Sequence, residues 1–330
     1  MRATITATAR SPQDAAIVAV AVALGEDLDA TISGDAVSRV FIFDCEARNL
    51  IGTFVLPFFG EPSALAVMLA PKPLIIAARY YEWGVGAFDL AGNLAWHRKD
   101  LKKASSILPI ANHPAKPRVA VELEKLASRF LNAADGREAA FPAIGASNIH
   151  CSPDGRLGFC LARKKMMLIS LETKQALFSL PTERDIDSVG FSPTALLLSW
   201  RDWNGTAKGS HMECVDFSGR ALWKVDFPRE WYGHLYWDNA NAKWLSVGSH
   251  YRHIGGDELA VICPESGAME LRPLPLFDLH GVYPCNGESQ FIAGGSLMLH
   301  QGCRILRVPS LELVLDLIPI FEAGGVPPHR

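Results

Sequence analysis

The residues of this chain best suited to chemistry crowd into one short run, S-H-Y-R-H-I-G-G-D-E, which carries His250, His253, Asp257 and Glu258. Imidazole nitrogens and carboxylate oxygens are ligands for divalent ions. Their spacing matches neither His-Glu-x-x-His nor paired Cys-x-x-Cys, so the run reads as a solvated or partner-facing loop, and no metal or other cofactor is expected. A second run, Ser152-Pro153-Asp154-Gly155, sets a hydroxyl beside a carboxylate. Pro fixes φ and Gly accepts φ > 0, so this is first of all the chemistry of a tight turn. Gly84-Val85-Gly86 lacks the third glycine and the helix of a dinucleotide site and reads as a turn. With no nucleophile elbow and no P-loop either, zinc hydrolase, serine hydrolase and nucleotide enzyme all recede.

A third group is defined by residue type alone. Trp83, Arg201, Trp203, Arg229, Trp231, Tyr232, Tyr251 and Arg252 fall in irregular stretches between apolar runs, with Tyr80 and Tyr81 beside the first of them. Trp, Tyr and Arg combine large area with a polar handle and dominate interface hot spots, so these eight are the expected partner-binding residues. The competing reading is that some of the aromatics pack between loops as a lid. Two basic runs, Trp96-His97-Arg98-Lys99 and Arg163-Lys164-Lys165, read as solvated sheet edges.

The elements that must hold these residues are written most clearly from Ser147 to Pro181. Four short apolar runs are divided there by Ser152-Pro153-Asp154-Gly155, by Arg163-Lys164-Lys165 and by Glu172-Thr173-Lys174, which spells a four-stranded antiparallel meander. Such a meander has two apolar faces and cannot bury either alone. Its second half, apolar strand, polar turn and apolar strand, recurs along the chain. The residues ending the third strand are Asp44, Asp89, Asn132, Ser170, Asp216, Cys263 and Arg307, separated by between 38 and 47 residues. Seven units of that period predict blades of about 3–57, 62–100, 106–143, 147–181, 187–228, 233–275 and 279–320 in a single domain over 1–322. Residues 323–330 are expected to be a flexible tail. In the third unit V-E-L-E-K-L-A-S-R-F-L also suits a short amphipathic helix, and the neighbouring units favour strand. The N-terminal strand either starts blade one or supplies the outer strand of the last blade.

Apolar strands followed by Ser-Pro-Asp-Gly resemble the blades of WD40-like and YVTN-like β-propellers. The resemblance implies an all-β ring of seven four-stranded antiparallel blades around a channel, with each first strand innermost. No Gly-His opens the blades and no Trp-Asp ends the third strands, which departs from true WD40 repeats. Asn148-Ile149-His150-Cys151-Ser152-Pro153-Asp154-Gly155 is also similar to a stretch of metal-dependent sugar lactonases, where Asn148 alone carries over as a metal ligand, but those propellers have six blades.

Composition narrows the function. At 330 residues, with a net charge of -3, the chain has no bulk attraction for phosphate backbones, so nucleic acid is not an expected partner. The longest apolar run, Ala15 to Leu24, is half a membrane span, and the N-terminus reads as a strand rather than a signal peptide. Seven scattered cysteines suit reduced thiols in the cytosol. The expectation is a cytoplasmic, non-enzymatic propeller that binds another protein through its loop face, as a scaffold or a neutralising subunit; the alternative is a hydrolase of the sugar-lactonase type.

Overall fold

The computed structural model describes the chain except for residues 1, 11–15, 26–35, 70–71, 81–82, 111–116, 125, 127, 141–146, 153, 163–164, 181–185, 202–209, 228–231, 250–257, 276–281, 285–289, 293–294, 302 and 325–330. The described strands form seven sheets, one for each expected blade. Blade one holds β1 (Arg2–Arg10), β2 (Ile17–Gly25), β3 (Val37–Asp44) and β4 (Asn49–Phe59). Blade two holds β5 (Ala64–Met68), β6 (Leu74–Arg79), β7 (Gly84–Phe88) and β8 (Leu94–Arg98). Blade three has β9 (Ala104–Ile110), β10 (Arg118–Leu123) and β11 (Arg129–Asn132). Blade four has β12 (Ser147–Cys151), β13 (Leu157–Ala162), β14 (Lys165–Ser170) and β15 (Ala176–Leu180); blade five has β16 (Ile186–Phe191), β17 (Ala195–Arg201), β18 (Ser210–Asp216) and β19 (Ala221–Phe227). Blade six has β20 (Tyr232–Asp238), β21 (Lys243–Ser249), β22 (Glu258–Ile262) and β23 (Met269–Pro273). Between it and blade seven runs β24 (Val282–Pro284), and blade seven holds β25 (Gln290–Ile292), β26 (Leu297–His300), β27 (Arg304–Arg307) and β28 (Leu313–Asp316).

The middle strands carry near-continuous apolar runs because both of their faces are covered by neighbouring blades, as in Leu196-Leu197-Leu198 and Leu74-Ile75-Ile76. The outer strands meet water: β15 and β23 have no buried residue, and β4 alternates exposed with more buried positions.

Two units depart from the simple repeat, and one motif from its expected form. Among the described residues blade three has three strands, and after β11 a single bridge, Leu131 to Glu138, marks where a fourth strand would run. The small residues that follow, Ala139 and Ala140, offer little side chain to pack on a pleated surface. The two ends of the ambiguous stretch are strand, Val121 to Leu123 closing β10 and Arg129 to Leu131 in β11, with Val121 and Leu131 buried and a turn at Glu124. In blade seven the first strand of the sheet is β25, not the stretch around Val282 that the repeat pattern suggests. Gly295, at φ +91, returns the chain into β26, while β24 pairs in parallel with β1 instead. The sequence Gly84-Val85-Gly86 is a strand rather than a turn: Gly84, at φ +95, opens β7, and Gly86 lies within it.

The N-terminal strand starts blade one, and β24 from the last unit joins it in parallel, so the sheet of blade one has five strands in the order β24-β1-β2-β3-β4. Closure falls to a short helix, α1 (Ile318–Ala323), after β28. Its Phe321 sits between Phe41 and Phe43 of β3, with ring centroids 4.9 and 5.9 Å away, in one core with Ile292, Leu299 and Ile305 of blade seven. The Arg39 guanidinium donates to the carbonyl oxygen of Gly324 just after the helix.

Four of the other junctions share one device. An aromatic from the outer strand of one blade lies on a glycine of positive φ in the last turn of the next. Phe54 covers Gly92, Trp96 covers Gly136, Phe178 covers Gly219 and Trp223 covers Gly267. A Cβ on any of these glycines would collide with the ring. Both indoles also donate to a backbone oxygen of that turn, Trp96 to Ala133 at 2.8 Å and Trp223 to Pro264 at 2.6 Å. Two of these turns are set by carboxylates: Asp89 Oδ1 accepts from the amides of Ala91 and Asn93, and Asp216 Oδ1 from those of Ser218 and Arg220.

Candidate functional site

The first strands of the blades line a central channel. A cavity of about 450 Å³ there is walled by Thr8 and Ala9 of β1, Leu65 and Ala66 of β5, and Ser106 to Pro109 of β9, then by parts of β12, β16, β20 and β25. Its polar groups include Ser106, His150, Asp187, Ser188, His234 and Gln290. Gln290 Nε2 donates to Thr8 Oγ1 at 2.9 Å, joining the last blade to the first across the wall. Withdrawal from water in this wall, and the charge His234 can carry, push the His150 imidazole down to about 4, so it is neutral at pH 7.

On the face formed by the first-to-second and third-to-fourth turns, the channel widens into a recess of about 470 Å³ between blades four, five and six. Val189, Phe191, Phe217, Leu235, Tyr236 and Trp237 give it an apolar wall. Asp154, Arg156, Ser192 and Asn239 stand at its lip. The residues of the lip are held by the same turn chemistry that the sequence repeats. Ser152 Oγ donates to Asp154 Oδ1 at 2.6 Å and accepts from the amide of Leu157 at 2.9 Å. Ser192 Oγ accepts from the amide of Ala195, and the buried Asp238 accepts from Ala240 and Asn241. An apolar pocket with a few fixed polar groups around it is the usual form of a site that captures a side chain or small ligand.

No protein-family model matches the chain, and no curated protein matches it in sequence. Solved structures do match in shape. The β-propeller domain of Cps50 (Swd1) from Myceliophteria thermophila superposes with a TM-score of 0.59 at 12% identity, over 93% of this chain and 94% of that one. Sqt1 from Chaetomium thermophilum gives 0.56 at 16% identity, over 96% and 85%. Sqt1 bound to the N-terminus of the ribosomal protein L10 gives 0.55 at 15% identity, over 94% and 86%. The likeness is one of fold: this chain is a seven-bladed β-propeller.

Of the partner-binding residues expected from the sequence, Trp203, Arg229, Trp231, Tyr251 and Arg252 lie outside the described residues, as do His250, His253 and Asp257. Arg201 ends β17 and Tyr232 opens β20, with only their backbones described. Trp83 is described, and it packs inward. Its ring stacks on His97 at 4.1 Å and on Phe88 at 5.7 Å, rests against Phe58 at 4.9 Å, and lies over Gly86, where any Cβ would strike it. His97 Nε2 donates to the Trp83 carbonyl at 2.8 Å. The basic run beside it is equally tied down, since Trp96 is buried and Arg98 donates to Gly136 and pairs with Asp100. Among the described residues no three His, Cys, Asp or Glu side chains are placed to share an ion, and no helix is long and apolar enough to cross a membrane.

The recess was not singled out from the sequence. Its signal was present in Ser152-Pro153-Asp154-Gly155 and Ser192-Pro193, which read as blade-building turns and are also the lip of the pocket. The described cysteines are free thiols; burial pushes Cys45, Cys151 and Cys160 up to about 12, far from a thiolate nucleophile.

Proposed function

We propose that this propeller is a non-enzymatic, cytoplasmic protein-binding module, a scaffold or neutralising subunit whose partner docks across a mouth of the ring. The observation that carries the reading is the recess of about 470 Å³ between blades four, five and six, with aromatic walls and a polar lip. Desolvated aromatic anchors inside a polar rim are the anatomy of protein interfaces. The capture of the N-terminus of ribosomal protein L10 by Sqt1, a ring of the same fold, supports the reading at the level of architecture. The loop-face residues Arg201, Trp203, Arg229, Trp231, Tyr232, Tyr251 and Arg252 remain part of the proposal as the opposite docking face, without Trp83, whose ring is packed against Phe58, Phe88 and His97.

The test is affinity capture with the full chain in its native cell, followed by the same capture with a loop-face variant, Trp203→Ala with Trp231→Ala, and with a recess variant, Phe217→Asp. A stoichiometric protein partner that is lost with one of the two variants identifies the docking face. Recovery of no partner, or equal recovery with both variants, overturns the proposal.

A further inference from the structure

Exposed apolar side chains are distributed unevenly over the outer strands. Ten large ones stand exposed among the described residues, and four belong to blade one: Val37 at 38%, Ile51 at 37%, Val55 at 46% and Phe59 at 67%. The outer strands of blades two, four, five, six and seven expose one leucine each, Leu94, Leu177, Leu222, Leu271 and Leu313. In blade one the side chains form a patch. Val37 and Phe59 are cross-strand partners, Val55 pairs with Arg39, and cross-strand partners share a face. That face is the one on which Phe41 and Phe43 meet blade seven, beyond the reach of α1 and of the four-residue β28.

The strand carrying the patch is also an open edge. β4 ends its sheet, so its outward carbonyls and amides, Pro57 excepted, have no strand neighbour among the described residues. Over eleven residues, N-L-I-G-T-F-V-L-P-F-F, it has no charged side chain. Natural sheets blunt such edges with proline and bulges, which β4 has in Pro57 and in two register shifts against β3, and with charge, which it lacks. The other outer strands follow that rule: Arg98 on β8, Lys224 and Asp226 on β19, Glu270 and Arg272 on β23, Asp316 on β28. β15 is uncharged too, but runs for only five residues.

Within the patch sits one cation. Arg39 donates to the Gly324 carbonyl, but its Nε is buried without a hydrogen-bond partner, and no carboxylate pairs with it among the described residues. A long apolar edge beside an uncompensated guanidinium specifies its occupant. We propose that β4 receives an extended segment of another protein by strand addition, a segment of alternating apolar side chains with one carboxylate that reaches Arg39. A strand added outside β4 lies two strand spacings from β3, about 9.5 Å, within the combined reach of Arg and Glu. A second copy of this chain fits less well, because β4 has no carboxylate to bring to Arg39. The inference rests on the reading of the chain as a protein-binding module and adds a contact away from the ring mouths.

The experiment uses the immobilised full chain and a phage library of random peptides of strand length. The enriched peptide is synthesised with a fluorophore, and its affinity is measured by polarisation, together with its acid-to-amide version. The expected sequences alternate β-branched or aromatic residues with one Asp or Glu. Val55→Lys and the highly exposed Phe59→Lys are each expected to weaken binding about tenfold or more. Arg39→Gln weakens the acidic peptide several-fold and leaves its amide version unchanged. Failure to enrich any peptide overturns the assignment, as do peptides that bind Val55→Lys and Phe59→Lys like the parent chain. A concentration-dependent dimer that Val55→Lys dissociates overturns it in favour of self-association. None of these failures touches the capture experiment with the ring-mouth variants, which judges the protein-binding reading by itself.

Discussion

Junctions between neighbouring blades are closed in two ways in this ring. Where blade two meets blade three, a shared core of fifteen buried residues is locked at its outer end by Trp96, which covers Gly136 and donates to Ala133, and by Arg98, which donates to Gly136. Where blade seven meets blade one, no outer strand reaches across. A helix, a parallel strand and an apolar core do the joining, through Phe321, β24 and sixteen buried residues. The first solution is local and repeatable, because it needs one aromatic and one left-handed glycine at fixed places in the unit. The second arises once and must hold residues far apart in the chain. The difference also explains the open patch on blade one, since the core closed by α1 covers Phe41 and Phe43 of β3 and reaches Leu50 of β4, but includes neither Val55 nor Phe59.

The largest effect on this contrast is expected from Phe321→Ala. Removing a fully buried ring that touches Phe41 and Phe43 should cost about 3–5 kcal/mol in denaturant unfolding. A loss below about 1 kcal/mol would mean that β24, and not α1, closes the ring. Trp96→Ala comes next, at about 3 kcal/mol, because it opens a cavity and strands the Ala133 carbonyl. Gly136→Ala separates the two parts of the lock. It meets both a positive φ and the Trp96 ring, whereas Gly155→Ala meets only the positive φ, so Gly155→Ala should cost about 1 kcal/mol and Gly136→Ala clearly more. Equal losses would remove the aromatic contact from the account.

Acid should act on the channel wall and on blade seven rather than on the locks. Burial holds both His150 and His300 down to about 4 in the folded chain. The unfolded chain therefore binds more protons between pH 6.5 and about 4, and the stability these groups contribute is lost as pH falls through that window. A thermal midpoint measured across it should fall, and fall less in the His150→Gln, His300→Gln variant. An identical slope would rule out these two residues as the source. The smallest effect belongs to Glu138→Ala. Glu138 marks the missing fourth strand of blade three and makes only exposed ion pairs with Arg98 and Arg129, so a change within about 0.5 kcal/mol is expected.

Much of the ring is legible in the residues because each unit repeats a local solution. Asp89 and Asp216 announce a turn by caging amides two and four residues on, and Gly92 and Gly219 then supply the left-handed position. Trp96 and Trp223 stand in the same part of that pattern, yet nothing in their own unit says what they cover, because their partner lies in the next blade. Blade three shows a further limit. Its period is intact while its fourth strand is reduced to one bridge, since spacing counts residues and not the hydrogen bonds they go on to make.

The candidate site follows the same division. Tyr and Trp in irregular loops are conspicuous by type, and one of them, Trp83, turns inward because Gly86 leaves room for its ring. Ser152, Asp154 and Ser192 are conspicuous as turn formers, and they become a pocket lip only when three blades stand side by side. By itself the sequence determined the strands, the turns and the count of seven, all of which depend on interactions within one unit. Only the tertiary structure decided which glycine receives which aromatic, how the ring closes, where the recess opens and which edge is left unguarded. Those outcomes rest on contacts between residues tens to hundreds of positions apart, and a local pattern has no means of recording them.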